Sequence, residues 1–572
     1  MTTNDTGNLA AIDASIFQNS LLLFSKVKIL IVLDNNVGEG LSIVEGNGFG
    51  IGRVIRWLRE SQIAGLSFDV DLANREPQPG SDGEYVDLGE VGPGQYRYYG
   101  WRFDIQPTDS IEPTDADLVL NRYDIVMFFG WQPGSIGGDD AEILAPGSNP
   151  LSDRELRFLT GWMNRGGGVF ATGDHGRIGA SMCSRIPRVG TMRKWTNADG
   201  VPPASFDTYS QDTWRYRLNT IQPGPTQQQV FIPASAQTDA IAKPIFGVTL
   251  RCEPIAPFTL LCYPHPVLEH PDYVFIDVMP DHDHEGLCQD PSAIDLNATL
   301  DFMPSNSNDE YPTISGIQPR PEALASARTT HEFLHEYGPV NARSYAIVSA
   351  YNGHQINIGR VVVDSTWHQW LDLNIRGFIA EDGANWDKVG RYFLNVVRYL
   401  ARRGSEDAGK VSQFLLASFS YPGAENLSPP SDDILQNGSI IRQHLHNRLG
   451  PSSTLEFVLN LIEEAHPRFA AYLNTSIVPL TAECSNGTRH NYGAPRWESI
   501  EMTVLGAIYN STYKHVEELR ADLKCKPDGS EINIDLKQVQ ADALAGVEYA
   551  IKSLDKTMEQ EVSNFVNAIR TD

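Results

Sequence analysis

Residues 27–33 (VKILIVL) form an almost unbroken apolar, β-branched run. A strand with one wet face alternates apolar and polar side chains; a run without alternation is covered on both faces, as in a parallel sheet layered by helices. Such a strand cannot fold alone: it calls for crossover helices on two sides. The next residues supply them. A glycine-rich loop over 34–48 leads into a helical pattern at 51–59 (IGRVIRWLR), and 68–72 (FDVDL) reads as a second strand. A third, 124–129 (DIVMFF), stops at Gly130. Over 152–164 Ser152 and Glu155 make a capping box, with Leu156, Leu159 and Met163 on one face. Glycines at 166–168 end that helix, and 168–172 (GVFAT) is a fourth buried strand. The rhythm predicts an α/β fold: a flavodoxin-like, doubly wound parallel sheet with right-handed crossovers.

Two stretches interrupt it. Residues 76–102 are rich in Gly, Pro and Tyr and run into YRYYGWRF (96–103); 196–244 is polar and rich in Pro and Gln. Both exceed ordinary βα loops and read as functional covers or surface insertions. Strand-like segments resume at 273–278 (YVFIDV), 345–350 (YAIVSA) and 360–364 (RVVVD). Beyond residue 386 the pattern is helix after helix: 386–402, 432–449, 454–465, 498–523 and 534–569. The last carries Leu544, Val547, Ile551, Leu554, Met558, Val562, Phe565 and Ile569 three and four apart. This seam reads as one face of an intramolecular bundle, with a self-association zipper as the alternative. The expected division is an N-terminal extension (1–25), an α/β domain (26–378) with insertions near 76–120 and 196–260, and an all-α C-terminal domain (379–572).

The whole chain limits what it can partner. Its 572 residues suit two to four domains, and 45 Lys and Arg against 72 Asp and Glu give a net charge of −27. Phosphate-rich surfaces repel such a chain, so neither nucleic acid nor membrane is an expected partner. No apolar run reaches the roughly 18 residues of a membrane helix, and no Lys or Arg precedes residue 26, as a secretory leader would require. A cytoplasmic address is expected. The six cysteines (Cys183, Cys252, Cys262, Cys288, Cys484, Cys525) show no CxxC pair, so neither a zinc ribbon nor a disulfide framework is expected.

Ligands of open α/β sheets bind beyond the carboxyl ends of the strands. After the first strand stand Asp34, Asn35 and Asn36; after the third, Gly130-Trp131-Gln132-Pro133-Gly134; after the fourth, Gly173-Asp174-His175-Gly176. After 273–278 comes Pro280-Asp281-His282-Asp283-His284-Glu285-Gly286, and after 360–363 comes Asp364-Ser365-Thr366-Trp367-His368. Three of these five ends carry histidine with a carboxylate within four residues, in a chain of 14 histidines. GVFATGDHGRIGASMC has the shape of a nucleophile elbow with His175 at its tip; the plainer reading is a βα turn with Asp174 as helix cap. His282 and His284, two apart, point the same way on an extended segment. They suit one divalent transition metal such as zinc, with Asp174, His175 or His368 as a further ligand and Glu285 as general base. The alternative is a solvated loop or a hydrogen-bonded network.

Other signals are weaker. His331-Glu332-Phe333-Leu334-His335 is a literal HExxH; the stretch 321–330 before it reads as helix-capable, but Gly338-Pro339 stops any helix, which favours a surface helix end over a zinc site. The glycines at 46–52 fit no GxGxxG frame, so neither NAD nor another nucleotide is expected, though a helix start there can hold an anion. Arg185, Arg188, Arg193 and Lys194 form a basic island that suits a substrate carboxylate or phosphate, or pairing with acidic loops. Trp367, Trp370 and the 96–103 aromatics suit sugar stacking or, more simply, packing.

Together VKILIVLDNN, DIVMFFGWQPG, GGGVFATGDHG and GRVVVDSTWHQW resemble the class I glutamine amidotransferase-like superfamily and, within it, the ThuA-like (trehalose utilisation) branch, over roughly residues 26–378. In the resemblance the elbow position falls on His175, where glutamine amidotransferases carry cysteine and ThuA-like proteins histidine. His368 matches the later catalytic histidine, though no Glu follows two residues on, and the turn 130–134 matches the oxyanion-binding turn. Cys183 lies eight residues past the tip, so glutaminase activity is not expected. The resemblance leaves two functional readings. One is a hydrolase or carbohydrate-acting enzyme, with Asp174, His175, Glu285 and His368 catalytic, His282 and His284 holding metal, and Asn35, Gly130, Trp131, Gln132 and Trp367 binding a small, carbohydrate-like substrate. The other is a non-catalytic ligand-binding or scaffold protein whose helical domain recruits a protein partner or self-associates. Fold analogy alone does not choose between them.

Overall fold

The computed structural model describes residues 25–34, 50–76, 86–87, 96–103, 119–132, 150–173, 178–195, 241–256, 259–281, 287–305, 307–328, 333–334, 338–339, 344–372, 374–375, 383–405, 414, 434–466, 469, 497–525 and 535–570. The first strand, β1 (Ser25–Leu33), pairs in parallel with β2 (Leu66–Asn74) on one side and β4 (Ile125–Phe129) on the other. Between β2 and β4 comes the two-residue β3 (Tyr98–Tyr99) beside β2. Next to β4 lie β5 (Gly168–Thr172) and then β8 (Val361–Asp364), both parallel. The parallel run is thus β2-β1-β4-β5-β8, the flavodoxin-like order, with its switch point between β1 and β4.

The unbroken run in β1 has the predicted cause. Val27, Ile29, Ile31 and Leu33 face a layer made by α1 (Gly52–Glu60) and α3 (Gly383–Leu400). Leu30 and Val32 face the opposite layer, where α2 (Asp153–Asn164) brings Leu156, Leu159, Trp162 and Met163. The capping box forms as read: Glu155 N–H donates to Ser152 Oγ (3.2 Å), and Ser152 N–H to Glu155 Oε2 (2.9 Å).

The α/β fold is as expected, and its parallel run is extended at one edge by β7 (Ser344–Tyr351), which pairs antiparallel with β8, and β6 (Glu322–Arg328), antiparallel with β7. Three local expectations are corrected. The stretch read as helix-capable is the strand β6. Residues 273–278 do not enter the sheet: Val274–Phe275 pairs with Glu269–His270, and Val278–Asp281 with Ile241–Pro244. Val274 sits at φ 65°, a left-handed conformation that breaks any single strand there. Within the HExxH, Phe333–Leu334 is extended and pairs with Gly338–Pro339, which rules out both the zinc-binding helix and the helix end; the two histidines and Glu332 lie outside the described residues. The helix α3 lies on the sheet. Trp57 Nε1 on α1 donates to Gly390 O (2.9 Å), and Trp370 stacks on Phe393 (4.6 Å).

The remaining helices, α4 (Ile434–Leu449), α5 (Pro451–Ala465), α6 (Trp497–Cys525) and α7 (Leu536–Arg570), pack on one another. Val547, Ile551 and Leu554 of the seam are buried, so as far as Leu554 it is a bundle face. Buried carboxylates help fasten the bundle to the α/β body. Arg360 Nη2 donates to Glu456 Oε1 on α5 (2.6 Å). Glu269 caps α5, accepting from Ser452 N (2.6 Å), Ser453 N (2.9 Å) and Ser453 Oγ (2.6 Å). Among the described residues no helix is long and apolar enough to cross a membrane.

Candidate functional site at the carboxyl edge of the sheet

Four parallel strands deliver chain to one rim: β1 to Asp34, β4 to Gly130, β5 to Gly173 and β8 to Ser365. At the switch point the Asp34 carboxylate is fully buried and accepts from Trp131 N–H (2.6 Å) and Gln132 N–H (3.3 Å). Gly130 N–H donates to Thr172 O (3.0 Å). Of the turn 130–134 expected to stabilise an oxyanion, the three described amides are engaged inside the protein, Trp131 and Gln132 by the Asp34 carboxylate and Gly130 by Thr172 O; Gly134 lies outside the described residues. Burial, opposed by these two N–H bonds, pushes the Asp34 carboxyl up to about 7.

The β5 end is packed backbone to backbone. Gly179 has φ 90°, and a methyl group there would sit 2.9 Å from both Gly130 O and Gly173 Cα. Three glycines thus let the ends of β4 and β5 and the returning chain touch. Beyond Gly179 the chain departs from a full elbow: the helix Ala180–Cys183 is a single turn. Its Cys183 thiol is buried, and that burial raises its pKa well above the ordinary range, which fits a packing residue rather than a nucleophile.

The β8 end is held most firmly. The buried Asp364 carboxylate accepts from Trp370 Nε1 (3.0 Å) and from Tyr392 Oη on α3 (2.8 Å), and burial pushes it up to about 7 against those bonds. Thr366 Oγ1 accepts from His368 N (3.1 Å), capping the short turn Trp367–Trp370. Trp367 N–H donates to Gly173 O (2.8 Å), so the residue before His368 is tied to the residue before Asp174. Arg193, also buried, donates from Nε to Asp364 O (3.1 Å) and from Nη2 to Ser365 O (2.6 Å). The imidazole of His368 is buried against Trp367 (4.2 Å), which lies on the half-buried Trp131 (4.9 Å). Trp370 is core, between Phe170 and Phe393, as are Tyr98, Trp101 and Phe103. Packing, not sugar stacking, accounts for these last four.

Both flanks of residues 282–286 also reach β8 or the turn that follows it. Val278–Asp281 packs beside the turn Trp367–Trp370. Leu287–Cys288 pairs with Arg193–Lys194, and Cys288 Sγ lies 3.6 Å from Val363 O. Of the residues read as the site, Gly130, Trp131, Gln132, Trp367 and His368 meet at this rim; Asn35, Asp174, His175, His282, His284 and Glu285 lie outside the described residues. Among the described residues no three His, Cys, Asp or Glu side chains come together to hold a metal ion. The anion expected at the start of α1 belongs to the protein: Asp372 Oδ1 accepts from Arg53 N (2.9 Å). The basic island is structural in its described contacts, Arg185 pairing with Asp153 (2.9 Å) and Asp301 (3.1 Å).

Sequence reasoning passes over Asp34, Asp364 and Arg193 as framing residues. The two aspartates are visible as charges closing apolar strands, but their partners are backbone amides and aromatic donors far away in sequence. No family model matches the chain, and no curated protein matches it either.

Proposed function

We propose that the protein is a ThuA-like hydrolase acting on a small, carbohydrate-like substrate at this rim. The observation that carries the reading is the Trp367 N–H to Gly173 O bond, which joins the strand end bearing His368 to the one leading into Asp174 and His175. Only four residues separate Gly173 from Ile178, and five separate Asp281 from Leu287; the reading requires both segments to turn towards the rim. In this reading His175 and His368 face the scissile group, and Asp174 or Glu285 moves the proton. Trp131 and Trp367 keep water from one side. His282 and His284 are the ligands for a divalent transition metal, with His368 as the described candidate for a third; when bound, the ion supplies Lewis acidity to the reacting oxygen. The packed Asp364–Arg193 frame fixes the turn that carries His368, as a preorganised centre requires.

Elemental analysis of the purified protein tests the metal, and a panel of chromogenic glycosides and esters tests hydrolysis. About one transition metal per chain is expected, lost in a His282→Ala/His284→Ala variant that still melts cooperatively. Turnover of a panel member is expected to vanish in His175→Ala. A protein without metal, whose melting ignores added Zn²⁺ and Mn²⁺ and which turns over nothing, overturns the proposal in favour of ligand binding without catalysis.

A further inference from the structure

The hairpin formed by Leu250–Ala256 and Thr259–Pro264 stands apart from the main sheet, and its backbone register sets Cys252 directly opposite Cys262. Directly opposed residues of an antiparallel pair have Cα atoms about 4.5–5.5 Å apart, inside the roughly 4.4–6.8 Å window of a disulfide. Cys262 is disulfide-bonded, whereas Cys183 and Cys288 are buried free thiols. We infer that Cys252 is the partner of Cys262, and that this cross-strand bond is an oxidative modification site of the protein. The sequence alone argues against any disulfide framework, since cysteines separated by nine other residues show no motif; only the hairpin register brings them face to face.

The position gives the bond a consequence. The second strand of the hairpin ends at Pro264, whose carbonyl accepts from Ser452 Oγ (2.6 Å) at the start of α5. Five residues further on, Glu269 caps the same helix. A clasp across the hairpin therefore braces the chain where the α/β body meets the bundle. The chemistry needs a low-molecular-weight disulfide as oxidant. One cysteine thiolate attacks it, forming a mixed disulfide and releasing one thiol. The facing thiolate then displaces the second, so two protein thiols are oxidised and one disulfide is reduced to two thiols. Such a bond persists in oxidising surroundings and is rare in a reducing cytosol, which sets it against the cytoplasmic address expected from the sequence.

The full chain, equilibrated with glutathione disulfide, alkylated and digested without reductant, tests this. A peptide pair joining Cys252 to Cys262 is expected, with the other four cysteines alkylated after denaturation. Reduction should lower the melting temperature of the wild type and leave that of Cys252→Ser unchanged, and Cys262 in that variant should carry glutathione or the alkylating group. Recovery of Cys262 alkylated or glutathionylated in the wild type, or joined to Cys484 or Cys525, overturns the inference. So does an intrachain bond at Cys262 that survives Cys252→Ser.

Discussion

Asp34 and Asp364 are the most informative single residues, because each is a carboxyl group buried at the end of a parallel strand and surrounded by donors. Burial raises both to about 7 in the folded protein, against 3.8 for the free group. The unfolded chain gives up the proton first as pH rises, so the neutral form's contribution to stability is full below about pH 4 and is lost through about pH 7. Asp364→Asn removes this dependence at one site. Urea unfolding at about pH 5 and about pH 8 should show the wild type losing ground to the variant on going to the higher pH; an unchanged difference would mean that the Asp364 carboxyl is ionised throughout. A second substitution probes the glycine contact. Gly179→Ala places a methyl against two backbones at a positive φ, and a loss of about 1–3 kcal/mol is expected from denaturant unfolding. Strand-end aspartates can be seen in a sequence. What they bind cannot, because Trp131, Gln132 and Tyr392 reach them only through the tertiary fold.

Elements are legible where both faces are buried or a cap is encoded. The strands β1, β4, β5 and β8 read directly because unbroken apolar runs leave little choice, and α2 because Ser152 and Glu155 mark its start. The strand β6 does not read, since EALASAR is rich in helix formers and only its pairing with β7 draws it into the sheet. Contacts between elements are the least legible, and Arg360–Glu456 shows why. These partners are 96 positions apart and almost completely buried. Removing one side leaves an uncompensated buried charge, so Glu456→Ala should destabilise by about 3–5 kcal/mol, while Arg360→Met with Glu456→Leu should recover part of that loss. A double-mutant cycle on denaturant stability measures it; two additive single losses would show that the pair is not coupled.

Across the whole molecule one apolar core runs from β1 through α1 and α3 to the bundle helices, so Val27 and Val547 belong to the same cluster. Val547→Asp therefore ought to lower stability by about 3 kcal/mol or more, as a charge placed in that core must. Sedimentation should find its oligomeric state unaltered at temperatures below melting; a change of state without loss of stability would assign the seam to self-association instead. The Tyr392 hydroxyl spans from this core to the Asp364 carboxylate. A single phenol ring thus ties α3 to the strand end that leads into the turn carrying His368. Helical layer and strand end thus share a beam, and redesigning either will need the other's tolerances in view.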